Sequence, residues 1–136
     1  MATLIEEVLV NAPASQVWSA VAAFGDIDTR LMPGYVAQSQ LDGSVRTLTM
    51  ADGMVLREQL IDCDHGRRRL AYTVENEHLS HHNASLQVFE TPEGGARLVW
   101  TVDVLPDALA PLLAPGHAHA LTVAADFLSR EAAANA

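Results

Sequence analysis

The stretch PDALAPLLAPGHAHALTVAADFLSREAAAN, residues 106–135, decides the fold. It is the one long segment in which apolar residues recur at spacings of three and four, the spacing of one helix face. That face is formed by Leu113, His117, Leu121, Ala124 and Leu128. A helix with so wide an apolar face needs a large apolar surface to pack on, which the preceding residues must provide. His117 is polar, and this indicates that the surface beneath the helix does more than pack.

Residues 35–105 alternate between apolar and polar with a period of two, which is typical of β-strands. Turn sequences that contain glycine divide this region: Asp42-Gly43, Asp52-Gly53, His65-Gly66 and Glu93-Gly94-Gly95. The pattern predicts six strands, at about 35–41, 44–50, 54–62, 68–76, 82–91 and 96–105. The connections are too short for crossover helices, so the strands are expected to be antiparallel neighbours.

The start of the chain predicts one further strand, over residues 3–10, and then two short helices. Pro13 suits the first turn of a helix, and Gly25 ends it. A second short helix is predicted over residues 26–31, before a Pro-Gly pair. Residues 1–136 are therefore expected to form a single α+β domain, a curved seven-stranded antiparallel sheet around one long C-terminal helix.

Composition excludes several classes of function. The chain has 136 residues, a net charge of −9 and no lysine, which argues against binding to nucleic acid or to anionic membranes. It has no apolar run of about 20 residues, the length that spans a bilayer, so membrane insertion is not expected. Glu6 and Glu7 stand where an export signal would be positively charged, and Cys63 is the single cysteine. A cytoplasmic location is therefore predicted.

The sequence also predicts no cofactor and no metal. It contains no glycine-rich phosphate loop, and its histidines lack the spacing of zinc-binding motifs. His117 and His119 lie about 200° apart around a helix, so they cannot bind one ion together. His78 and His81 are slightly more consistent with a solvated turn than with the mouth of a cavity.

Period two sorts the side chains of each strand between two faces, and the more apolar set is taken as the inner one. Six polar or aromatic residues then point into one interior: Glu58, Tyr72, Asn76, His82, Trp100 and His117. A mostly apolar interior with a few polar groups is typical of a ligand cavity. The predicted ligand-binding residues are Tyr35, Met54, Leu56, Asn76, Leu86, Trp100, His117 and Leu121. The alternative is a filled core in which every polar group is hydrogen-bonded.

Several segments together resemble the START-like, or SRPBCC, helix-grip superfamily. They are NAPASQVWSAVAAFGDI (11–27), GMVLREQLIDCD (53–64), RRRLAYTV (67–74), NASLQVFE (83–90) and ARLVWTVDVLP (96–106). The order of these pieces is most similar to the polyketide cyclase/dehydrase and lipid-transport branch. The resemblance implies a helix-grip fold and a small hydrophobic or aromatic ligand. Some members of the superfamily carry a pocket glutamate that Glu58 matches, and a pocket tyrosine that would fall at His82.

The predicted interior could support proton transfer. Glu58 and His82 lie on strands separated by one other strand, so their backbones should be about 9–10 Å apart. Tyr72 lies on the strand between them. We therefore predict a cyclase or dehydratase in which Glu58 and His82 act as base and acid, with Tyr72 as the orienting group and Trp100 as a flat wall. The alternative is a carrier of a lipid or aromatic metabolite in which Glu58 only binds a hydroxyl group. A homodimer is possible in either case.

Overall fold

The structure, a computed structural model, describes residues 1–136 and contains one seven-stranded antiparallel sheet. The elements are β1 (Ala2–Val10), α1 (Ala14–Ala22), α2 (Ile27–Arg30), β2 (Val36–Asp42), β3 (Val45–Met50), β4 (Val55–Asp64), β5 (Arg69–Glu75), β6 (His81–Glu90), β7 (Ala96–Leu105) and α3 (Ala110–Ala134). Short 3-10 helices, Phe24–Asp26 and Asp107–Leu109, precede α2 and α3. The predicted helix-grip architecture is confirmed: a curved seven-stranded sheet, a long C-terminal helix and two short helices after the first strand.

The strand order is β1-β7-β6-β5-β4-β3-β2, so strands β2 to β7 form a meander in chain order. The short connections between these strands impose this order, because each allows only an antiparallel return to the neighbouring position. β1 pairs with the last strand along its whole length, from Ala2 opposite Val104 to Val10 opposite Ala96. This pairing brings the start of the chain beside the strand that leads into α3.

The C-terminal half of α3 packs tightly. Its buried residues are Ala120, Leu121, Ala124, Ala125 and Leu128. Small alanine side chains let this half of the helix approach the sheet closely, and the two leucines fill the remaining space. α1 covers another part of the interior with Val17, Trp18 and Val21. Together these residues form the packed end of the interior, in one continuous hydrophobic core.

The N-terminal half of α3 is built differently. Pro115 lies inside the helix, and its missing N–H removes one backbone hydrogen bond from this half. Leu113, Gly116 and His117 are only partly buried, and they lie over an open volume rather than in the packed core. The apolar face predicted from the sequence is therefore real, but its two halves face different surroundings.

The sheet departs from regular pairing in three places. The register of β2 against β3 shifts between Val36 and Gln38. A β-bulge interrupts β4 between Leu60 and Asp62. The β5–β6 ladder ends at the pair Tyr72–Ala84. Beyond that pair, the hydroxyl of Thr73 donates to the carbonyl of His82 at 2.6 Å, and the N–H of Val74 donates to the His82 ring at 3.1 Å. The side chains thus take over bonds that a regular ladder would make.

Two residues predicted to lie inside the sheet lie at its margin. Met54 precedes β4, and its side chain is 53% exposed. Asn76 follows β5 and is exposed, with its side-chain oxygen accepting a hydrogen bond from the backbone N–H of His78. The prediction that both residues lie within strands is corrected, because β4 begins after Met54 and β5 ends before Asn76.

Candidate functional site

A cavity of about 370 Å³ lies between the sheet and the N-terminal half of α3. This volume falls in the range of sites that take small molecules. Most of its lining is hydrophobic. The exposed lining residues mark its mouth: Met54, Asn76, His78 and Leu112. A second depression, of about 490 Å³ and more open to solvent, lies beside the mouth and shares Tyr35, Met50 and Met54 with the cavity.

The structure brings the three predicted catalytic residues, Glu58, Tyr72 and His82, to the wall of this one cavity. The predicted ligand-binding residues that also line it are Tyr35, Met54, Leu56, Asn76, Leu86, Trp100 and His117. Leu121 does not line it. Its side chain is 1% exposed and belongs to the packed core, because the buried face of α3 passes from the cavity to that core after His117. The prediction of a ligand contact at Leu121 is corrected accordingly.

Glu58 forms a buried ion pair with Arg46, a residue that the sequence pattern did not single out. The two residues are directly opposite each other on β3 and β4, and both are at most 5% exposed. Nε and Nη2 of Arg46 lie 2.8 and 2.7 Å from the same oxygen, Oε1 of Glu58. The ion pair offsets the desolvation free energy of burying a carboxylate, because each charged group has its opposite at hydrogen-bonding distance.

The remaining groups of Arg46 are also occupied. Nη1 donates to the carbonyl of Phe24 at 3.1 Å. The guanidinium lies 3.9 Å from the centre of the Phe24 ring and 5.1 Å from that of Tyr72, within the range of cation–π attraction. The guanidinium of Arg46 is therefore contacted along its edges and on its faces, and its charge is balanced by groups of the protein itself.

Tyr72 and Trp100 form a second buried pair. The indole Nε1–H of Trp100 donates to the Tyr72 hydroxyl oxygen at 3.1 Å. Burial, and after it the nearby Glu58 carboxylate, raises the pKa of Tyr72 well above its usual value. The phenol consequently stays protonated, and because its oxygen already accepts the indole proton, its own O–H is available as a donor.

His82 is held as a neutral ring. Its Nδ1 accepts the N–H of Val74 at 3.1 Å, and an acceptor nitrogen carries no proton. Burial, with smaller effects from His117 and His81, lowers the pKa of His82 to about 4. At neutral pH the proton of this ring is therefore on Nε2, which makes His82 a hydrogen-bond donor.

His117 is held in the opposite tautomer. Its Nδ1 lies 2.9 Å from the carbonyl oxygen of Leu113, one turn earlier in α3, and a carbonyl can only accept. Nδ1 therefore carries the proton. Burial lowers the pKa of His117 although the Leu113 carbonyl and Glu58 oppose that shift. The ring packs on Trp100 with 4.0 Å between ring centres, and its Nε2 presents a lone pair.

Three polar atoms of these side chains make no hydrogen bond to the protein: Oε2 of Glu58 and Nε2 of His82 and of His117. The one fully buried side-chain nitrogen or oxygen without a partner is Oγ of Ser39, which lies elsewhere. The three unpaired atoms consequently have accessible surface, and all three residues line the cavity. The cavity thus offers two acceptors and, with Tyr72, two donors.

The other histidines do not join this arrangement. His81 is exposed and points away from its neighbour His82, as alternation along a strand requires. His119 is exposed and makes an edge contact with Tyr35, with ring centres 5.7 Å apart. No group of three or more histidine, cysteine, aspartate or glutamate side chains is placed to hold a metal ion.

Comparison with known proteins identifies the family. A sequence model described as polyketide cyclase/dehydrase and lipid transport matches residues 1–135. The chain belongs to this family. The resemblance on which the sequence analysis relied is thereby confirmed. A search of curated protein sequences finds no significant match.

Solved structures share the fold over almost the whole chain. A protein from Thermobifida fusca is 30% identical, with a TM-score of 0.79, and the match covers 96% of this chain and 95% of that one. XoxI from Bacillus cereus is 21% identical, with a TM-score of 0.84 and coverage of 94% and 96%. A point mutant of norcoclaurine synthase from Thalictrum flavum, in complex with a transition-state analogue, is 17% identical, with a TM-score of 0.72 and coverage of 96% and 94%. The last two likenesses concern the fold alone.

None of the helices combines the length and the apolar character that crossing a membrane requires.

Proposed function

We propose that this protein is a cyclase or dehydratase that uses acid–base chemistry on a small, mostly apolar, polyketide-like or aromatic molecule. The observation that carries the proposal is the placement of an unpaired carboxylate oxygen and two hydrogen-bond donors on the wall of one apolar cavity. The family to which the chain belongs, and its lone cysteine, agree with such an enzyme in a reducing cytoplasm.

The roles of the three residues follow from their proton states. Oε2 of Glu58 would remove a proton from the carbon next to a substrate carbonyl. The carbonyl oxygen would become an enolate oxygen, to which the Tyr72 hydroxyl and Nε2–H of His82 donate hydrogen bonds. His82 therefore acts as a hydrogen-bond donor rather than as the acid expected from the sequence, because a neutral imidazole gives up its proton very reluctantly.

A dehydration needs no further group. The protonated Glu58 would return its proton to the hydroxyl group that leaves from the neighbouring carbon, and that hydroxyl departs as water. A carbon–carbon double bond forms between the two carbons, so a β-hydroxy carbonyl compound becomes an unsaturated one plus water. The same enolate, attacking a second carbonyl carbon of the molecule, would close a ring, and the alkoxide formed from that carbonyl would take up the proton held by Glu58.

One observation favours a second function, that of a carrier. The charge of Glu58 is already balanced by Arg46, in a pair that needs no proton transfer to be stable. A carrier would use the same cavity and would only hydrogen-bond its ligand. The two functions differ in whether a bound carbonyl compound loses a proton.

The test is exchange of the acidic C–H protons of β-tetralone in D₂O, followed by NMR with and without the protein. An enzyme accelerates the exchange. Glu58→Gln should lower the protein-dependent rate by about 10²-fold or more, which is the usual contribution of a positioned base. His82→Asn should lower it by about tenfold or more, because one donor to the enolate is lost.

Glu75→Gln is the matched control, since Glu75 also pairs with an arginine, Arg57, but on the surface. This variant should exchange β-tetralone at the unaltered rate. Binding of β-tetralone without accelerated exchange, or exchange that Glu58→Gln leaves unchanged, would overturn the enzymatic proposal and support the carrier.

A further inference from the structure

The cavity contains no charge that a ligand could neutralise. Arg46 is its cationic lining residue, and its Nε, Nη1 and Nη2 are bound by Glu58 and by the Phe24 carbonyl. Glu58 is in turn balanced by Arg46. The Val74 N–H donates to Nδ1 of His82, which keeps that ring neutral, and burial favours the neutral form of His117. A ligand that carried a net charge into this space would lose its hydration and gain no ion pair, which is strongly unfavourable.

The two histidines present opposite hydrogen-bonding atoms. His82 is fixed to the sheet through its Nδ1, which accepts the Val74 N–H, and it offers Nε2–H to the cavity. His117 is fixed to α3 through its Nδ1–H, which donates to the Leu113 carbonyl, and it offers a bare Nε2. Each anchor is a backbone group of known polarity, so neither ring can exchange its role by a flip without losing its anchor.

We infer that the ligand is an electrically neutral hydroxy-carbonyl compound whose hydroxyl group donates to Nε2 of His117 and whose carbonyl group accepts from Nε2–H of His82. This inference rests on the cavity of the proposed function and names the class of its substrate. The Trp100 ring, against which His117 packs, provides the flat wall for the apolar body between the two polar groups. His117 is in this account a specificity-determining residue on the helix, and His82 is its counterpart on the sheet.

Five size-matched probes test the inference in equilibrium binding at neutral pH: hydroxytetralone, methoxytetralone, tetrahydronaphthol, tetrahydronaphthoate and aminotetralin. Hydroxytetralone has both groups, methoxytetralone cannot donate, and tetrahydronaphthol has no carbonyl. The last two carry a negative and a positive charge. Hydroxytetralone should bind tightest, by about three- to tenfold over each probe that lacks one group, since this is the usual effect of one neutral hydrogen bond. Both charged probes should bind at least tenfold more weakly than hydroxytetralone.

Asparagine is the informative substitution at both histidines, because its amide reaches the position of Nδ1 but not that of Nε2. His117→Asn can still donate to the Leu113 carbonyl, and His82→Asn can still accept the Val74 N–H. His117→Asn should abolish the preference for hydroxytetralone over methoxytetralone only. His82→Asn should abolish the preference for hydroxytetralone over tetrahydronaphthol only. Glutamine at either position, which restores a polar atom near Nε2, should recover part of the lost preference.

The inference is overturned if a charged probe binds as tightly as hydroxytetralone, if no tetralone binds, or if the folded asparagine variants keep both preferences. These outcomes are independent of turnover. Normal preferences without proton exchange would defeat the enzymatic proposal alone, whereas exchange of β-tetralone with unaltered preferences in both asparagine variants would defeat this inference alone.

Discussion

The two tryptophans of the chain occupy the two ends of the same interior and are buried to nearly the same extent. Trp18 is 7% exposed and Trp100 is 8% exposed. Each indole N–H donates a hydrogen bond of 3.1 Å to an aromatic residue. Trp18 donates to Nδ1 of His65, and Trp100 donates to the hydroxyl oxygen of Tyr72. Trp18 lies in the packed end, however, whereas Trp100 borders the cavity.

The comparison shows that the degree of burial does not distinguish a residue of the packed core from a residue of the ligand site in this fold. What separates the two ends is whether polar atoms are left without partners. Trp18 does not line the cavity, while around Trp100 the side chains of Glu58, His82 and His117 each leave one atom free. The cavity end therefore retains hydrogen-bonding capacity for a ligand.

The largest expected effect concerns the ion pair at the cavity end. Arg46→Met should lower the free energy of unfolding by about 3–5 kcal/mol, because it leaves the Glu58 carboxylate buried without its partner. The double variant Arg46→Met/Glu58→Gln should recover much of that loss, since the charge is then removed as well. Urea denaturation measures both values.

The surface pair is the control for this prediction. Arg57 and Glu75 are about half exposed, so Arg57→Met should cost less than about 1 kcal/mol. Equal losses of unfolding free energy for Arg46→Met and Arg57→Met would mean that the Arg46–Glu58 pair is solvated and not buried.

The second effect contrasts the two halves of α3. Leu121→Ala, in the packed half, should lower the free energy of unfolding by about 2–4 kcal/mol, because it opens a void in a closed core. Leu113→Ala, over the cavity, should cost about 1 kcal/mol, since that side chain is only partly buried. Only Leu113→Ala should alter the affinity for β-tetralone. A larger loss of stability for Leu113→Ala than for Leu121→Ala, or an altered affinity in Leu121→Ala alone, would contradict the claim that only the N-terminal half of α3 lies over the cavity.

The third effect is a loss of stability in acid. The folded-state pKa of His82, about 4, lies below its usual value of 6.5, so between these pH values the unfolded chain binds a proton that the folded chain does not. This contribution to stability is complete above about pH 6.5 and is lost as the pH falls toward 4. Its size should be about 1–2 kcal/mol after allowance for partial exposure.

Denaturation curves of His82→Asn across this pH range should show a smaller acid loss than those of the unaltered protein. His78→Asn, at an exposed position of the mouth, should retain the full loss. An acid loss that is the same in all three proteins would assign the effect to groups other than His82.

The smallest effect is expected where Gly116 of α3 approaches Tyr35 on the cavity wall. A Cβ atom at Gly116 would lie 3.3 Å from the Tyr35 hydroxyl, which is the far end of a movable side chain. Gly116→Ala should therefore raise the free energy of unfolding by up to about 1 kcal/mol through its better helix propensity. The displaced Tyr35 should at the same time weaken β-tetralone binding a few-fold. A destabilised protein with unaltered binding would show that Tyr35 is fixed and does not border the path of the ligand.

The architecture could be predicted because it follows from local signals. The period of two, the glycine turns and the helical face of residues 106–135 each specify one element, and antiparallel return leaves one simple order for the meander. The ends of strands were less predictable. The predicted strands included Met54 and Asn76, which lie one residue outside β4 and β5 and line the cavity at its mouth.

Arg46 was missed although the sequence contained the signal for it. The turn at Asp52-Gly53 fixes the pairing of β3 with β4, and that pairing sets Arg46 directly opposite Glu58. An inward carboxylate with an arginine across the ladder is a predictable ion pair. The tautomers of His82 and His117 were not predictable in this way, because they depend on the backbone groups of Val74 and Leu113 that the local geometry happens to expose.

The most direct test of the central claim, that the Trp100 end of the interior is the ligand site and the Trp18 end is closed, is a titration with β-tetralone followed in the indole N–H region of a ¹⁵N–¹H NMR spectrum. The chain has two tryptophans, so two signals are expected, and Trp18→Phe assigns them. We predict that the Trp100 signal shifts with added β-tetralone while the Trp18 signal stays in place. A shift of the Trp18 signal alone, or no shift of either signal at saturating β-tetralone, would contradict the account.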